Sequence, residues 1–166
     1  KDTIGNTTEY EYNSSGDQTA FIDALGQRST FDYDSSGNLI AITNANGNKS
    51  QYEYDGSNRL VNENDALGAD YRTSYDGLGN ILSTTDENGG TTNFTYDALG
   101  QLTSVADPAG NRIRYKYDAV GNLVETVDAA GNVTSTQFDS RRRPILRTDA
   151  AGGEFKYVYD ARGNLI

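Results

Sequence analysis

Tyr117-Asp118-Ala119-Val120-Gly121-Asn122-Leu123, followed five residues on by Asp128-Ala129-Ala130-Gly131-Asn132, decides how the whole chain reads. Each stretch holds an Asp-x-x-Gly signal. Asp at the first position of a type I turn accepts a backbone hydrogen bond with its side chain, and Gly at the fourth position tolerates positive φ. Such a turn, with a left-handed Gly, closes a β-hairpin with a bulge. Working outward, the pattern recurs every 21 residues: Tyr12, Tyr33, Tyr54, Tyr75, Tyr96, Tyr117, Phe138 and Tyr159 form one column. Asn13 and then Asp34, Asp55, Asp76, Asp97, Asp118, Asp139 and Asp160 follow them. The second turn column is Asp2, Asp23, Asn44, Asp65, Asp86, Asp107, Asp128 and Asp149, each three residues before a Gly. No insertion breaks the register over eight units.

Two turns of about four residues per unit leave two strands of six or seven, filled by Tyr, Phe, Thr, Val and Ile. Alternation places pairs such as Phe31/Tyr33, Phe94/Tyr96 and Tyr115/Tyr117 on one sheet face. Leu39, Leu60, Ile81, Leu102, Leu123 and Leu165 form a second apolar column just after the Tyr-Asp turn. The fold class is therefore all-β: tandem 21-residue β-hairpin repeats in one antiparallel sheet, with residues 1–166 as a single array. Roughly sixteen strands at about 4.8 Å spacing extend some 75 Å, and open sheets rarely exceed about ten strands without curling. The expectation is a curved sheet, a spiral strip or part of a hollow shell.

Composition fits a wall better than a solid domain. Only 35% of the residues are hydrophobic, against about 45–50% apolar (Gly included) in a typical globular domain. No apolar run is long enough to span a membrane. The net charge of −10 argues against a nucleic-acid backbone or an anionic membrane as partner. Cysteine and histidine are absent, which removes disulfides, Ser-His-Asp and Cys-His constellations and ordinary zinc sites. Lys1 stands where an initiator Met is expected, so the chain reads as a piece of something longer.

The Tyr117–Leu123 and Asp128–Asn132 text, repeated along the chain, resembles the RHS/YD-repeat family. That family includes bacterial polymorphic toxins, the C component of insecticidal toxin complexes, wall-associated proteins and teneurins. The resemblance implies a hollow β-cocoon built from a spiralling strip of hairpins, which in the toxins encloses a C-terminal toxic domain. It also implies a secreted or cell-surface setting and points to bacteria. The family's core region, with its aspartate-dependent autoprotease, has no counterpart in these residues, so the carry-over stops at the shell.

The residues singled out are mostly structural. They are the turn pairs Asp34/Gly37, Asp76/Gly79, Asp97/Gly100, Asp118/Gly121, Asp107/Gly110 and Asp128/Gly131, and the aromatic column Tyr33, Tyr54, Tyr75, Tyr96, Tyr117 and Tyr159. The two turn columns absorb 14 of the 17 Asp residues, so turn chemistry explains the acidity better than calcium binding, and no EF-hand spacing is present. The Tyr columns read as packed sheet face rather than sugar platforms. Pro108, in Asp107-Pro108-Ala109-Gly110, has a fixed φ that suits the turn, and Asn58 replaces Gly in another. Arg141, Arg142 and Arg143 stand out: Arg142 replaces a turn Gly, and Pro144 replaces the Leu column residue. They read as a variant loop tip, solvated or paired with acidic turns of adjacent units, or as a contact point for cargo or a flanking domain. Sequons such as Asn6-Thr7-Thr8 and Asn132-Val133-Thr134 arise easily in such a composition.

These features point to a non-enzymatic shell or scaffold module, without cofactor or metal, that encloses or presents another domain. Its expected partners are flanking repeats and a core or toxin domain of the same parent. The rivals are a glycan- or receptor-binding surface module and a self-assembling extracellular filament. The chain opens at Asp2-Thr3-Ile4-Gly5, inside a standard turn, and stops at Asn164-Leu165-Ile166, inside a standard strand. Continuation in both directions, and self-association through open strand edges, are the corresponding expectations.

Overall fold

The computed structural model describes residues 7–166; Asp2, Gly5 and Asn6, and with them the first expected turn, lie outside the described residues. Within them there is no helix. The strands are β1 (Glu9–Tyr12), β2 (Gln18–Ile22), β3 (Arg28–Tyr33), β4 (Leu39–Thr43), β5 (Lys49–Tyr54), β6 (Leu60–Asn64), β7 (Asp70–Tyr75) and β8 (Ile81–Thr85). They continue as β9 (Thr91–Tyr96), β10 (Leu102–Ala106), β11 (Arg112–Tyr117), β12 (Leu123–Val127), β13 (Val133–Phe138), β14 (Pro144–Thr148) and β15 (Glu154–Lys156). Strand order in the sheet follows chain order from β1 to β15. A sixteenth strand is reduced to a single bridge, Tyr159 to Leu165.

The odd strands from β3 to β13 have six residues, within the six or seven expected, and the even strands from β2 to β14 have five, one fewer. The turn takes the difference. The Asp118 N–H donates to the carbonyl of Asn122 at 3.0 Å, which draws the fifth residue out of the ladder and into the closing pair. The same bond recurs in the other described turns.

The two kinds of hairpin differ in register. Across the Asp-Gly turns the ladder is regular: Ala41, Ile42 and Thr43 face Gln51, Ser50 and Lys49. Across the Tyr-Asp turns it slips by one: Tyr33 faces Leu39, but Asp32 faces Ala41, which leaves Ile40 as an extra residue. The same slip occurs at Thr103 and Val124. It is a β-bulge, a device that bends the strand and adds local twist. The bulge lets Leu39 and Ile42, three apart, lie on the same face.

Two compact units divide the chain: Lys1–Ser74 with Thr84–Gly90, and Tyr75–Ser83 with Thr91–Ile166. In the first unit one face carries the aromatic rows. Phe31 faces Ile42, Tyr52 faces Glu63, and the Tyr10 and Phe21 rings tilt together at 5.6 Å. The opposite face is polar, with Arg28 donating to Glu11 Oε2 at 2.7 Å and Arg72 to Asp70 Oδ2 at 2.6 Å. In the second unit Phe94, Val105 and Ile113 form an apolar row across three strands. On its other face the Thr95 hydroxyl lies 2.8 Å from that of Ser104.

Neither unit has a core of large side chains. Among the described residues the buried ones are Ala20, Ala41, Ala106 and Ser104, and no large side chain is fully buried. Larger apolar residues lie half-buried in cross-strand rows. Each row contact contributes only about 0.2–1 kcal/mol, so stability accumulates along the ladder.

Candidate functional site

The chemistry of this chain is concentrated in its turns. Asp118 Oδ1 accepts from the backbone N–H groups of Val120 and Asn122, at 3.0 and 2.9 Å. Its Oδ2 accepts from the Asn122 side chain at 2.8 Å. These donors, the Asn122 amide first, hold the Asp118 carboxyl below the ordinary aspartate range. Gly121 closes the turn at φ +90°. Asp34 and Asp76 sit in the same cage, through Asn38 and Asn80. Asp97 accepts from the backbone of Leu99 and Gln101. The second turn column repeats the geometry at Asp107 and Asp128, where Asn111 and Asn132 donate at 2.8 and 2.7 Å. The glycines of these turns, Gly37, Gly79, Gly100, Gly110 and Gly131, all have positive φ.

The fifth turn residue, which the sequence reading passed over, is thus a working part of the motif. Its signal was available: Asn38, Asn80, Asn122 and Asn164 recur at Asp+4. At two turns an Arg takes the place. Arg59 and Arg143 each donate Nε and Nη2 to the Oδ2 of Asp55 and Asp139, at 2.7–2.8 Å. In these same turns the glycine is lost: Asn58 and Arg142 occupy the left-handed region at φ 59° and 61°. Among the described turns, an Arg clip closes the cage only where the glycine is absent.

The three consecutive arginines therefore separate. Arg143 is turned inward, paired with Asp139 of its own turn rather than with an acidic turn of an adjacent unit, with its guanidinium carbon 4.3 Å from the Tyr159 ring centroid. Arg142 supplies the strained turn position, and both Arg141 and Arg142 are exposed.

The tyrosine column carries a hydroxyl function as well as a ring. Tyr33 donates to the Gln18 carbonyl, Tyr54 to Leu39 and Tyr117 to Leu102, each at 3.0 Å, and Tyr159 donates to Pro144 at 2.8 Å. The acceptor always lies 15 residues earlier, at the start of the preceding even strand. Each hydroxyl thereby satisfies a carbonyl at the open end of an Asp-Gly hairpin, where the regular ladder has ended. Tyr75 and Tyr96 end β7 and β9 in the same column. Phe138 has no hydroxyl to offer the Leu123 carbonyl.

A tyrosine ending the odd strands from β1 to β11, an aspartate opening the turns that follow β3 to β13, and a bulge opposite the pair together specify a YD repeat. A sequence profile of the teneurin YD-shell family matches residues 3–166. The chain belongs to this family.

As a YD-shell module, the chain is similar in fold to toxin-complex components. One is the Tc holotoxin pore of Photorhabdus luminescens, at 14% identity and a TM-score of 0.49, covering 97% of this chain and 13% of that one. Another is TcdB2-TccC3-TEV, at 16% identity and a TM-score of 0.47, covering 99% of this chain and 11% of that one. The YD-shell module thus spans about an eighth of the chains it matches. No curated protein matches it in sequence. Among the described residues, no group of three or more Asp or Glu is placed to hold a metal.

Proposed function

We propose that this YD-shell module is a length of wall in a larger secreted or cell-surface protein, where it encloses or presents another domain of the same parent. Its role is mechanical rather than enzymatic. The observation that supports this reading most directly is how the polar groups are used. The turn carboxylates, their Asp+4 partners and the tyrosine hydroxyls are engaged in closing hairpins, and no cluster of acids departs from the repeat. The matched toxin complexes, of which the chain spans a small part, are compatible with a wall element in an assembly. The test is protection. In the full-length parent, a domain joined to the repeats should resist protease while the repeats are intact and become sensitive when a turn is broken by Asp118→Ala together with Gly121→Val. Equal sensitivity in both forms would refute enclosure.

A second reading, glycan binding, is favoured by one feature of the first unit. A groove of about 410 Å³ on its polar face is lined by Asp32, Lys49, Gln51, Glu53, Asn62 and Asn64, and the Asn62 Oδ1 is buried without a partner. Amide and carboxylate groups suit vicinal hydroxyls. Asn62→Ala should abolish glycan-array binding if this reading holds.

A further inference from the structure

On the face opposite the tyrosine column, cations and acids come together strand by strand. β3 carries Arg28 with Asp32, β5 Lys49 with Glu53, β7 Arg72 with Asp70 and β15 Lys156 with Glu154. β9 and β13 carry neither kind of charge on this face. Among the described strands, β11 alone departs from the rule. Arg112, Arg114 and Lys116 alternate along it with no acid among them.

Cross-strand register fixes the three cations on one face. Arg114 faces Ser104 and Arg112 faces Ala106 on β10, while Lys116 faces Glu125 on β12. From β9 to β13, all within the second unit, the strands therefore put three cations and one acid on this face, in a chain of net charge −10. All three cations are exposed, and none forms an ion pair among the described residues. Arg112 Nη1 lies 3.4 Å from the Ser104 hydroxyl, which is tied to that of Thr95 at 2.8 Å. Ser104 is only 5% exposed, so a buried hydroxyl props the guanidinium over β10 without neutralising it. The nearest turn carboxylates, Asp107, Asp118 and Asp128, lie at the strand ends. They are held low first by the side-chain amides of their own turns, Asn111, Asn122 and Asn132.

We propose that the β11 face is a docking strip for an extended acidic polypeptide segment, whose carboxylates at alternate positions meet Arg112, Arg114 and Lys116. Alternate residues of a strand are about 6.7 Å apart, so the three cations cover about 13 Å, more than a compact anion engages. An extended chain with an acid at every second residue repeats that pitch along one side. The planar donor fork of arginine matches a carboxylate. No aromatic ring lies on this face of β9, β11 or β13, so nothing there stacks a nucleobase. The proposal rests on the reading of the chain as a wall that holds another domain of the same parent. The segment belongs to that domain or to the linker that joins it. Exposed charge pairs are individually weak, and a covalent tether raises the effective concentration enough for a few of them to hold a segment in place.

The test is a nuclear magnetic resonance titration of the intact chain with short synthetic peptides, which detects weak binding without requiring enclosure. The peptide Glu-Thr-Glu-Thr-Glu should shift the backbone amides of β10 to β12 saturably, and less so as salt is added. A peptide of the same composition with its three Glu consecutive should bind several-fold more weakly. R112E/R114E should weaken the alternating peptide roughly ten-fold and take up Lys-Thr-Lys-Thr-Lys in its place. R112Q/R114Q, which removes the charge without reversing it, should also lose the alternating peptide while keeping the parent circular dichroism spectrum. Absence of saturable shifts, equal binding of the two glutamate peptides, or binding retained by R112Q/R114Q would each overturn the proposal. So would displacement of the peptide by an equal concentration of inorganic phosphate, because the strip would then be a compact-anion site. Enclosure stands or falls separately, on protease protection in the full-length parent.

Discussion

Replacing Gly121 by valine tests the turn geometry most directly. Gly121 lies at φ +90° in the Asp118 turn. An L residue there must occupy the left-handed region, which a β-branched side chain tolerates worst. The strain is on the order of 1–3 kcal/mol. Space adds little to this, because a Cβ would meet only the Gln101 Nε2 at 3.1 Å, the far end of a flexible side chain. The chain supplies its own calibration: Asn58 and Arg142 fill the equivalent position at φ 59° and 61°. Gly121→Asn can relax toward that smaller φ, and the lower entropy of its unfolded chain offsets about 0.4–1 kcal/mol of the strain. It should therefore fall within about 1 kcal/mol of the parent. Lys116→Ala is the reference, removing an exposed side chain that faces Glu125 across the ladder; it should change stability by less than about 0.5 kcal/mol. For a chain of this size each kcal/mol moves the melting temperature by about 2–4 °C, so Gly121→Val should lower it by roughly 2–12 °C. Thermal and urea melts followed by circular dichroism give the ordering. Equal losses for Gly121→Val and Lys116→Ala, or an Asn variant as damaged as the Val variant, would refute the turn assignment.

Other expectations follow from the same geometry. Tyr117→Phe removes the bond to the Leu102 carbonyl and should cost about 0.5–1.5 kcal/mol, while Phe138→Tyr should be neutral or stabilising; a larger loss from Phe138→Tyr than from Tyr117→Phe in urea melts would count against the hydroxyl role. Turn carboxyls such as Asp34, Asp118, Asp128 and Asp160 are lowered by their amide partners. Their folded-state values lie below the unfolded ones, so the stability they contribute is present above the unfolded aspartate value of about 3.9 and is lost as pH falls through the folded values. The melting temperature should hold from neutral pH to about 5 and fall below about 4; a profile flat to the most acid pH would show that the cages carry no stability. Arg143→Ala removes both the clip on Asp139 and the stack on Tyr159, and should be more damaging than Arg141→Ala in the same melts; equal effects would mean that the two arginines play equivalent parts.

The turns and the all-β class were legible because Asp and Gly sit at positions where the backbone demands them. The bulge at each turn Gly was read, but the second slip, at Ile40, Thr103 and Val124 of the even strands, was not, although Leu39/Ile42 and Leu102/Val105, three apart within five-residue strands, break the period of two that a plain strand requires. The Arg cluster was legible as a departure from the repeat, but its division of labour was not. Arg143 turns inward because Asp139 and the Tyr159 ring lie beside it, and sequence spacing does not show that a residue 16 places later packs over this turn. Leu78 and Leu99 were visible letter by letter, yet only their exposure separates these turn tips from the half-buried Leu39, Leu60 and Leu102.

The tyrosine hydroxyl bond redraws the boundary of the module. Reading the motif alone, one would excise a hairpin around each Tyr-Asp turn. The hydroxyl instead ties Tyr33 to Gln18, across the Asp-Gly hairpin, so a cut between those residues severs the bond while a cut at the Tyr-Asp tip spares it. For domain insertion or the splicing of foreign peptides, the tolerant junctions are therefore the tips beside Ser36, Ser57 or Arg162, and a graftable cassette runs from the start of an even strand to the tyrosine 15 residues on.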